Sequence, residues 1–389
     1  VLVLTAWVVV VLATQAWPSW STGIREQFAG DVASYEQIAR AAPHFPREPL
    51  QQQHAERFPI HWLVGTISDG TGLGLHDLYR AVSIALLLLV VIVFAVTLKQ
   101  VGLDLRSRVV VTGLVVASAY PMRYLLAAPG MLADALFLVG FTLALWALAA
   151  DNDAALVAGL LVAVLGRQTA VPVALAAAAL LLVQRRFRLA AAAAILPVLL
   201  YAGLHLVASR FTAGHTLGSS SWLVSAFGHP RELGSHFARM AIVLAVSLAV
   251  LGGAWYRTRI APATAPLLLA AAVIAQPLVL SPELVAKNEP RLAGLALPAL
   301  ALAAAAPLRV AMLGVAETTI LSIAIFASSL HARYSDLGLS RPVWVALVAA
   351  SALTIVAVLA RPARLRVEQG RQLEEGEHEG DQADRQRRS

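Results

Sequence analysis

What most restricts this chain is the recurrence of uncharged apolar runs, such as residues 81–98, 135–149 and 343–360, each near the length that crosses a bilayer. A helix in a soluble core needs one apolar stripe, whereas these runs are apolar all round. In hydrocarbon every backbone group must be bonded within its own segment, which leaves helices as the form such runs take here. Only 14% of the 389 residues are charged, against about a quarter in soluble domains. The chain therefore reads as an all-α polytopic membrane bundle. It has no cysteine, which excludes disulfides, thiol catalysis and thiolate metal sites. Its net charge of +7 is spread as arginines through short loops. A positive cytoplasmic face and contact with lipid phosphate account for that pattern better than nucleic acid does.

The predicted passes are 1–17, 81–98, 109–126, 135–149, 154–165, 170–183, 189–209, 237–256, 263–280, 292–306, 310–330 and 343–360, with a short or re-entrant piece at 61–79. That amounts to about 10–12 transmembrane helices. Residues 1–17 are short for a crossing and lack a basic leader, and a signal peptide cleaved after Ala16 is the alternative. The pieces 154–165 and 170–183, hinged at Gly166-Arg167-Gln168-Thr169, are expected to go out and return. QRRFR at 184–188 then falls on the cytoplasmic face, while DND at 151–153 is an exception to its basic character. Residues 1–360 form one membrane module, and 361–389 a charged, aliphatic-poor, disordered cytoplasmic tail. No internal repeat is visible, which counts against the repeat-built transporter folds.

On this topology the first extracytoplasmic loop, 18–60, carries an amphipathic helix over 31–40. Val32, Tyr35, Ile38 and Ala39 share one face, opposite Glu36, Gln37 and Arg40. The outer side also collects every histidine except His378, the acids Asp31, Glu36, Glu56, Asp134, Glu283 and Glu289, and Arg25, Arg40, Arg47, Arg57, Arg123, Arg167 and Arg291. A long polar loop with its own helix is more often functional than a plain connector.

Several elements there carry chemistry, and each has a plainer structural reading. Asp31 and Tyr35 stand in GDVASY, followed by Arg57 and Pro59; Asp31 could simply cap its helix. Pro129 and Asp134 mark an outer turn, with Asp134 either a turn acid or the partner of Arg167. Arg167-Gln168-Thr169 interrupts an apolar run, where charge is costly unless paired or wet. Arg291 and Pro298 lie in PRLAGLALPAL. Arg57 and Arg291 could be snorkelling anchors, and Tyr35, Tyr120 and Tyr124 interfacial aromatics. His44, His54 and His61 fit no regular metal spacing. The Gly-rich SDGTGLGLHD, 68–77, follows no strand and does not read as a phosphate loop.

In their order these elements resemble the GT-C membrane glycosyltransferases, particularly bacterial relatives with an Asp-x-x-x-Tyr helix, an arginine–proline element, an Arg-Glu-Thr and a late Arg…Pro. The resemblance implies a GT-C-like bundle in a bacterial inner membrane. It implies inverting transfer of a sugar, as in mannosyltransferases, on the extracytoplasmic face. The donor would be a polyprenyl-phosphate sugar and the acceptor a lipid, glycan or protein, with no nucleic acid partner. Asp31 would be the general base, since a hydroxyl must lose its proton as the bond forms. Tyr35, Arg57, Asp134, Arg167, Gln168 and Arg291 would bind substrate, the arginines holding the leaving phosphate. No cofactor is expected, and the residues offer no support for a divalent metal. Two departures stand out. Ser34 precedes Tyr35 where the relatives usually pair two aromatics, and Gln168 replaces the glutamate of Arg-Glu-Thr. A transporter or lipid flippase, or an inactive GT-C-like scaffold, are the alternatives.

Overall fold

The apolar runs fold as helices, and short polar side chains set the starts of two of them. The computed structural model describes residues 1–17, 29–212, 230–279 and 288–361. The expected tail beyond residue 361, most of the loops 210–236 and 281–291, and Arg25 and Glu283 lie outside the described residues. In chain order the α-helices are α1 (Leu2–Ala13), α2 (Ala29–Ala41), α3 (Gln52–Ala55), α4 (Phe58–Thr71), α5 (Leu75–Gln100) and α6 (Leu105–Val116). A tight turn at Ala119–Arg123 leads to α7 (Tyr124–Ala127), then α8 (Leu132–Ala149), α9 (Asp153–Gly166), α10 (Ala170–Val183) and α11 (Phe187–Ala208). After these come α12 (Pro230–Thr258), α13 (Thr264–Val279), α14 (Glu289–Gly294), α15 (Leu297–Ala303), α16 (Ala305–Ala311), α17 (Val315–Ser328) and α18 (Arg341–Leu359). Asp104 starts α6 by accepting from the Arg106 and Ser107 amides, and Asn152 starts α9 by accepting from Ala155. No strand occurs among the described residues; extended contacts are the isolated bridges Gln15–Ser335 and Leu50–Thr212.

Long-range contacts sort the helix ends into two groups. At one end, Glu36 of α2 meets His76 at the start of α5, and Arg123 holds the end of α1. There too Gln276 of α13 donates to the Thr169 carbonyl, and Glu56 meets His205 near the end of α11. At the other end, Ser107 donates to the Leu308 carbonyl, Arg106 to that of Leu313, and Arg257 pairs with Glu317. Among the described residues, the polar segment 29–57 with its amphipathic helix thus lies over one end of a helical bundle, and short basic turns close the other.

The segment 151–186 is a hairpin. Arg186 pairs with Asp151 at 2.7 Å and also with Asp153, so the end of α10 returns to the start of α9. A continuous helix at about 1.5 Å per residue would hold those ends some tens of ångströms apart. The hairpin puts Arg167 at its tip and gives the acids at 151–153 a local partner.

Among the described residues, five helices are long and apolar enough to cross a membrane: Leu75–Gln100, Leu132–Ala149, Phe187–Phe211, Phe237–Thr258 and Arg341–Leu359. The number becomes seven if Leu105–Val116 with Ala119–Ala127, and Glu289–Ala303 with Ala305–Ala311, each make one bent span. Leu2–Ala13, Asp153–Gly166, Ala170–Val183, Thr264–Gln276 and Val315–Ser328 are apolar but shorter.

Three readings gain detail. The piece at 61–79 is instead α4, stopped by Gly72 at φ 71°, followed directly by α5, which begins at Leu75 rather than residue 81. The residues 1–17, expected as the first pass, carry the shorter helix α1, which packs against α6. Trp7 Nε1 donates to the Val109 carbonyl at 2.9 Å, and buried Arg123 donates to the Val11 and Thr14 carbonyls at 3.3 and 3.1 Å. Both carbonyls also accept backbone bonds, Val11 from the Thr14 amide and Thr14 from that of Asp336. Finally, α2 starts at Ala29, so Asp31 sits in its first turn with its carboxylate directed to other elements instead of capping.

Candidate functional site

Helix α2 is amphipathic in the expected phase: Val32, Tyr35, Ile38 and Ala39 are all buried. Glu36, expected on the polar face, is buried too, because Arg40 and His76 pair with it at 2.6 and 3.0 Å. Helix α4 lies close against α2 because Gly65 has no side chain; a Cβ there would run into the Ala39 carbonyl. That approach stacks the His61 ring on the Tyr35 ring, with centroids 4.1 Å apart and planes 6° apart. Tyr79 of α5 completes the layer, its hydroxyl 2.9 Å from His61 Nδ1 and 3.2 Å from the Tyr35 carbonyl.

Around this layer the separated polar residues converge. Asp31 Oδ1 lies 2.8 Å from His54 Nε2, and Asp31 Oδ2 lies 3.4 Å from Arg291 Nη1. Arg57 donates to the Tyr35 hydroxyl at 2.6 Å and to Gln168 Oε1 at 3.5 Å. Arg167 donates to Asp134 Oδ1 at 2.5 Å, while Arg291 Nε stands 3.2 Å from Asp134 Oδ2. Tyr124 accepts from Arg291 at 3.4 Å. Asp31, Tyr35, Arg57, Asp134, Arg167, Gln168 and Arg291, the residues singled out in the sequence, therefore form one connected cluster at the loop-covered end of the bundle.

The plainer readings of these residues are corrected by burial. Arg57 and Arg291 are buried and bonded to protein groups, so they are not anchors reaching to headgroups. Tyr35 and Tyr124 are buried at 1% and 0% exposure and hold arginines, which an interfacial belt aromatic would not do. Asp134 is the partner of Arg167, not a bare turn acid.

Counting guanidiniums and carboxylates, three arginines (Arg57, Arg167, Arg291) face two acids (Asp31, Asp134), one positive charge in excess. Burial alone would push the Asp31 carboxyl up. The His54 hydrogen bond and the Arg291 and Arg57 charges outweigh it and hold the carboxyl well below the usual carboxylate range. Burial, aided by Arg57, lowers His61 to about 3, so this ring stays neutral. Arg291 makes the loosest contacts of the three, at 3.2–3.5 Å, against about 2.7–2.9 Å for a good charged hydrogen bond. Its Nε, the Nε of Arg167 and Asp134 Oδ2 make no hydrogen bond. A cavity of about 210 Å³ lies at the opposite end of the bundle, between Leu148, Pro266 and Arg309.

Sequence reasoning missed His54, His61 and Tyr124 as members. His54 and His61 stood in the loop as histidines without metal spacing, and among the described residues no group of three His, Asp or Glu could hold a metal ion. The burial of His61 could have been read from its position between Ile60 and Trp62. Nothing in the local sequence announces the bond from His54 to Asp31. Compared with protein families, with curated proteins and with solved structures, the chain matches none.

Proposed function

We propose that this chain is an integral membrane glycosyltransferase of GT-C type, taking a sugar from a polyprenyl-phosphate donor and placing it on an acceptor hydroxyl with inversion. The observation that carries the reading is the buried cluster itself: Asp31 joined to an ionic network with one guanidinium more than its carboxylates. An excess buried cation is costly, and a bound phosphate would offset it. Arg291 is the residue best placed to hold that phosphate, because its contacts to Asp31 and Asp134 are long enough to exchange. Arg57 and Arg167 flank it, and guanidiniums match phosphate oxygens two at a time. Asp31 is the cluster's only carboxylate with appreciable exposure, 21% of its side chain, and supplies the base side of the reaction. The donor's apolar tail would lie between spans, and the further short apolar helices would bring the number of crossings to the expected 10–12.

On this reading the cluster faces outward. Lys99, Arg106, Arg108, Arg185, Arg188, Arg257, Arg259 and Arg309 stand at the opposite end of the bundle, the pattern of a cytoplasmic face in a bacterial inner membrane. A transporter would place its charges near the midplane of broken helices, whereas these lie at a bundle end. The test is donor-dependent stabilisation: polyprenyl phosphate should raise the melting temperature of the wild-type protein and not that of Arg291→Gln. Equal stabilisation of both, or of neither, would contradict the assignment.

A further inference from the structure

The base side of that reaction holds one group more than the acid. His54 Nε2 lies 2.8 Å from Asp31 Oδ1, and His54 Nδ1 lies 3.1 Å from the Ser34 hydroxyl. An ionised carboxylate can only accept, so Nε2 carries the ring hydrogen. Nδ1 is then a lone pair, and the Ser34 hydroxyl donates to it. Asp31 and Ser34 are three residues apart on α2 and so share a face. The His54 ring, on α3, reaches both and meets the Tyr35 ring edge-on at 5.8 Å. Its side chain is 5% exposed, while Asp31 and Ser34 on either side of it are half-buried.

We propose that Ser34, His54 and Asp31 form a proton relay in which the acceptor hydroxyl is deprotonated through Ser34 onto His54, with Asp31 as the orienting carboxylate. The proposal rests on the glycosyl-transfer reading and says where its proton goes. The acceptor oxygen forms a bond to the anomeric carbon as the bond from that carbon to the phosphate oxygen breaks, the electron pair leaving with the phosphate. The hydroxyl proton passes to Ser34 Oγ as Ser34's own hydrogen passes to His54 Nδ1. The resulting imidazolium is balanced by Asp31. A carboxylate pinned by His54 and Arg291 is a weak proton acceptor, whereas imidazole is the side chain suited to taking a proton near neutral pH. The charged and titratable groups about His54 are Asp31 and Tyr35 on α2, Glu56 and Arg57 following it in the chain, Arg291 behind Asp31, and exposed Arg210 in the turn Ser209–Phe211 that packs on α3.

The experiment has two arms, both on the full chain in lipid nanodiscs. Nitrogen NMR of labelled histidine, with His54 identified by its loss in His54→Gln, should show the Nε2-protonated tautomer and an Nδ1 resonance that moves in Ser34→Ala. An Nδ1-protonated ring, or an Nδ1 resonance indifferent to Ser34→Ala, overturns the relay whether or not any sugar is transferred. In the second arm, the wild-type rate should show an acid limb above the ordinary carboxylate range of about pH 4. His54→Gln should remove that limb and lower the rate by ~10²-fold or more. A wild-type rate flat down to about pH 4, or an unchanged profile in His54→Gln, overturns it. Absence of transfer from every polyprenyl-phosphate donor would count against the glycosyltransferase reading, while the tautomer arm still decides the relay.

Discussion

Replacing Arg167 with glutamine is the perturbation whose size follows most directly from the geometry. The Arg167 and Asp134 side chains are 3% and 2% exposed and 2.5 Å apart. Removing one partner of a buried pair costs about 3–5 kcal/mol, because the other charge is left without compensation. Asp134 would keep Arg291 at 3.2 Å, which places the loss near the lower bound, about 3 kcal/mol. For a chain of this length, scaling from smaller domains, that is a fall of roughly 4–5 °C in melting temperature. Asp134→Asn should cost more, since it leaves Arg167 and Arg291 facing each other across a neutral amide. The double variant should lose less than the two singles together, by about 1–3 kcal/mol. Thermal unfolding of the four proteins in detergent, followed by tryptophan fluorescence, measures all of this. Strictly additive losses, or an Arg167→Gln variant within about 0.5 kcal/mol of wild type, would refute the argument that this pair is both buried and structural.

Three further outcomes are expected. His61 is held near 3 in the folded chain by burial and Arg57, against about 6.5 unfolded. The unfolded state therefore binds the extra proton, and stability is full above about pH 6.5 and falls as pH drops toward 3, by up to about 1.4 kcal/mol per unit. His61→Phe should flatten that slope, and unchanged slopes would contradict the assignment. At the α8–α9 contact a Cβ on Gly140 would run into the Ala163 backbone, so Gly140→Leu should lower stability by more than the ~1–3 kcal/mol of ordinary overpacking; wild-type melting would contradict the close approach. Because the chain has no cysteine, Ser340→Cys and Gln184→Cys, both exposed positions at opposite bundle ends, should react with an impermeant thiol reagent from opposite sides of a membrane. Labelling of both from one side would contradict the topology.

The apolar runs announced the helices because backbone satisfaction in hydrocarbon leaves the chain little choice, and Arg167 was visible as a charge with no reason to be where it is. The hairpin at 151–186 was legible from charge bias, and Arg186 reaching Asp151 supplies its mechanism. Boundaries were less legible: the break after Thr71 belongs to Gly72's positive φ, and hydropathy does not register that. Contacts across the fold were not legible at all. Arg291 meets Asp31 across 260 positions of chain, and His54 bonds Asp31 through a turn at 42–51 that has no periodicity to read. Glu36 looked solvated because its partner His76 lies 40 residues on. Local pattern reports which face is buried, and the partner of a buried charge is set by packing.

The central claim, that the cluster around Asp31 transfers a sugar from a lipid phosphate, is tested most directly by comparing wild type with Asp31→Asn. Equal amounts of each, reconstituted in vesicles, would be supplied with radiolabelled polyprenyl-phosphate sugars and membrane acceptors. The account predicts transfer by the wild type and a fall of ~10²–10⁴-fold in the variant, at near-normal insertion and yield. Retention of more than about a tenth of the wild-type rate would contradict it, since no loss of a base side is that mild.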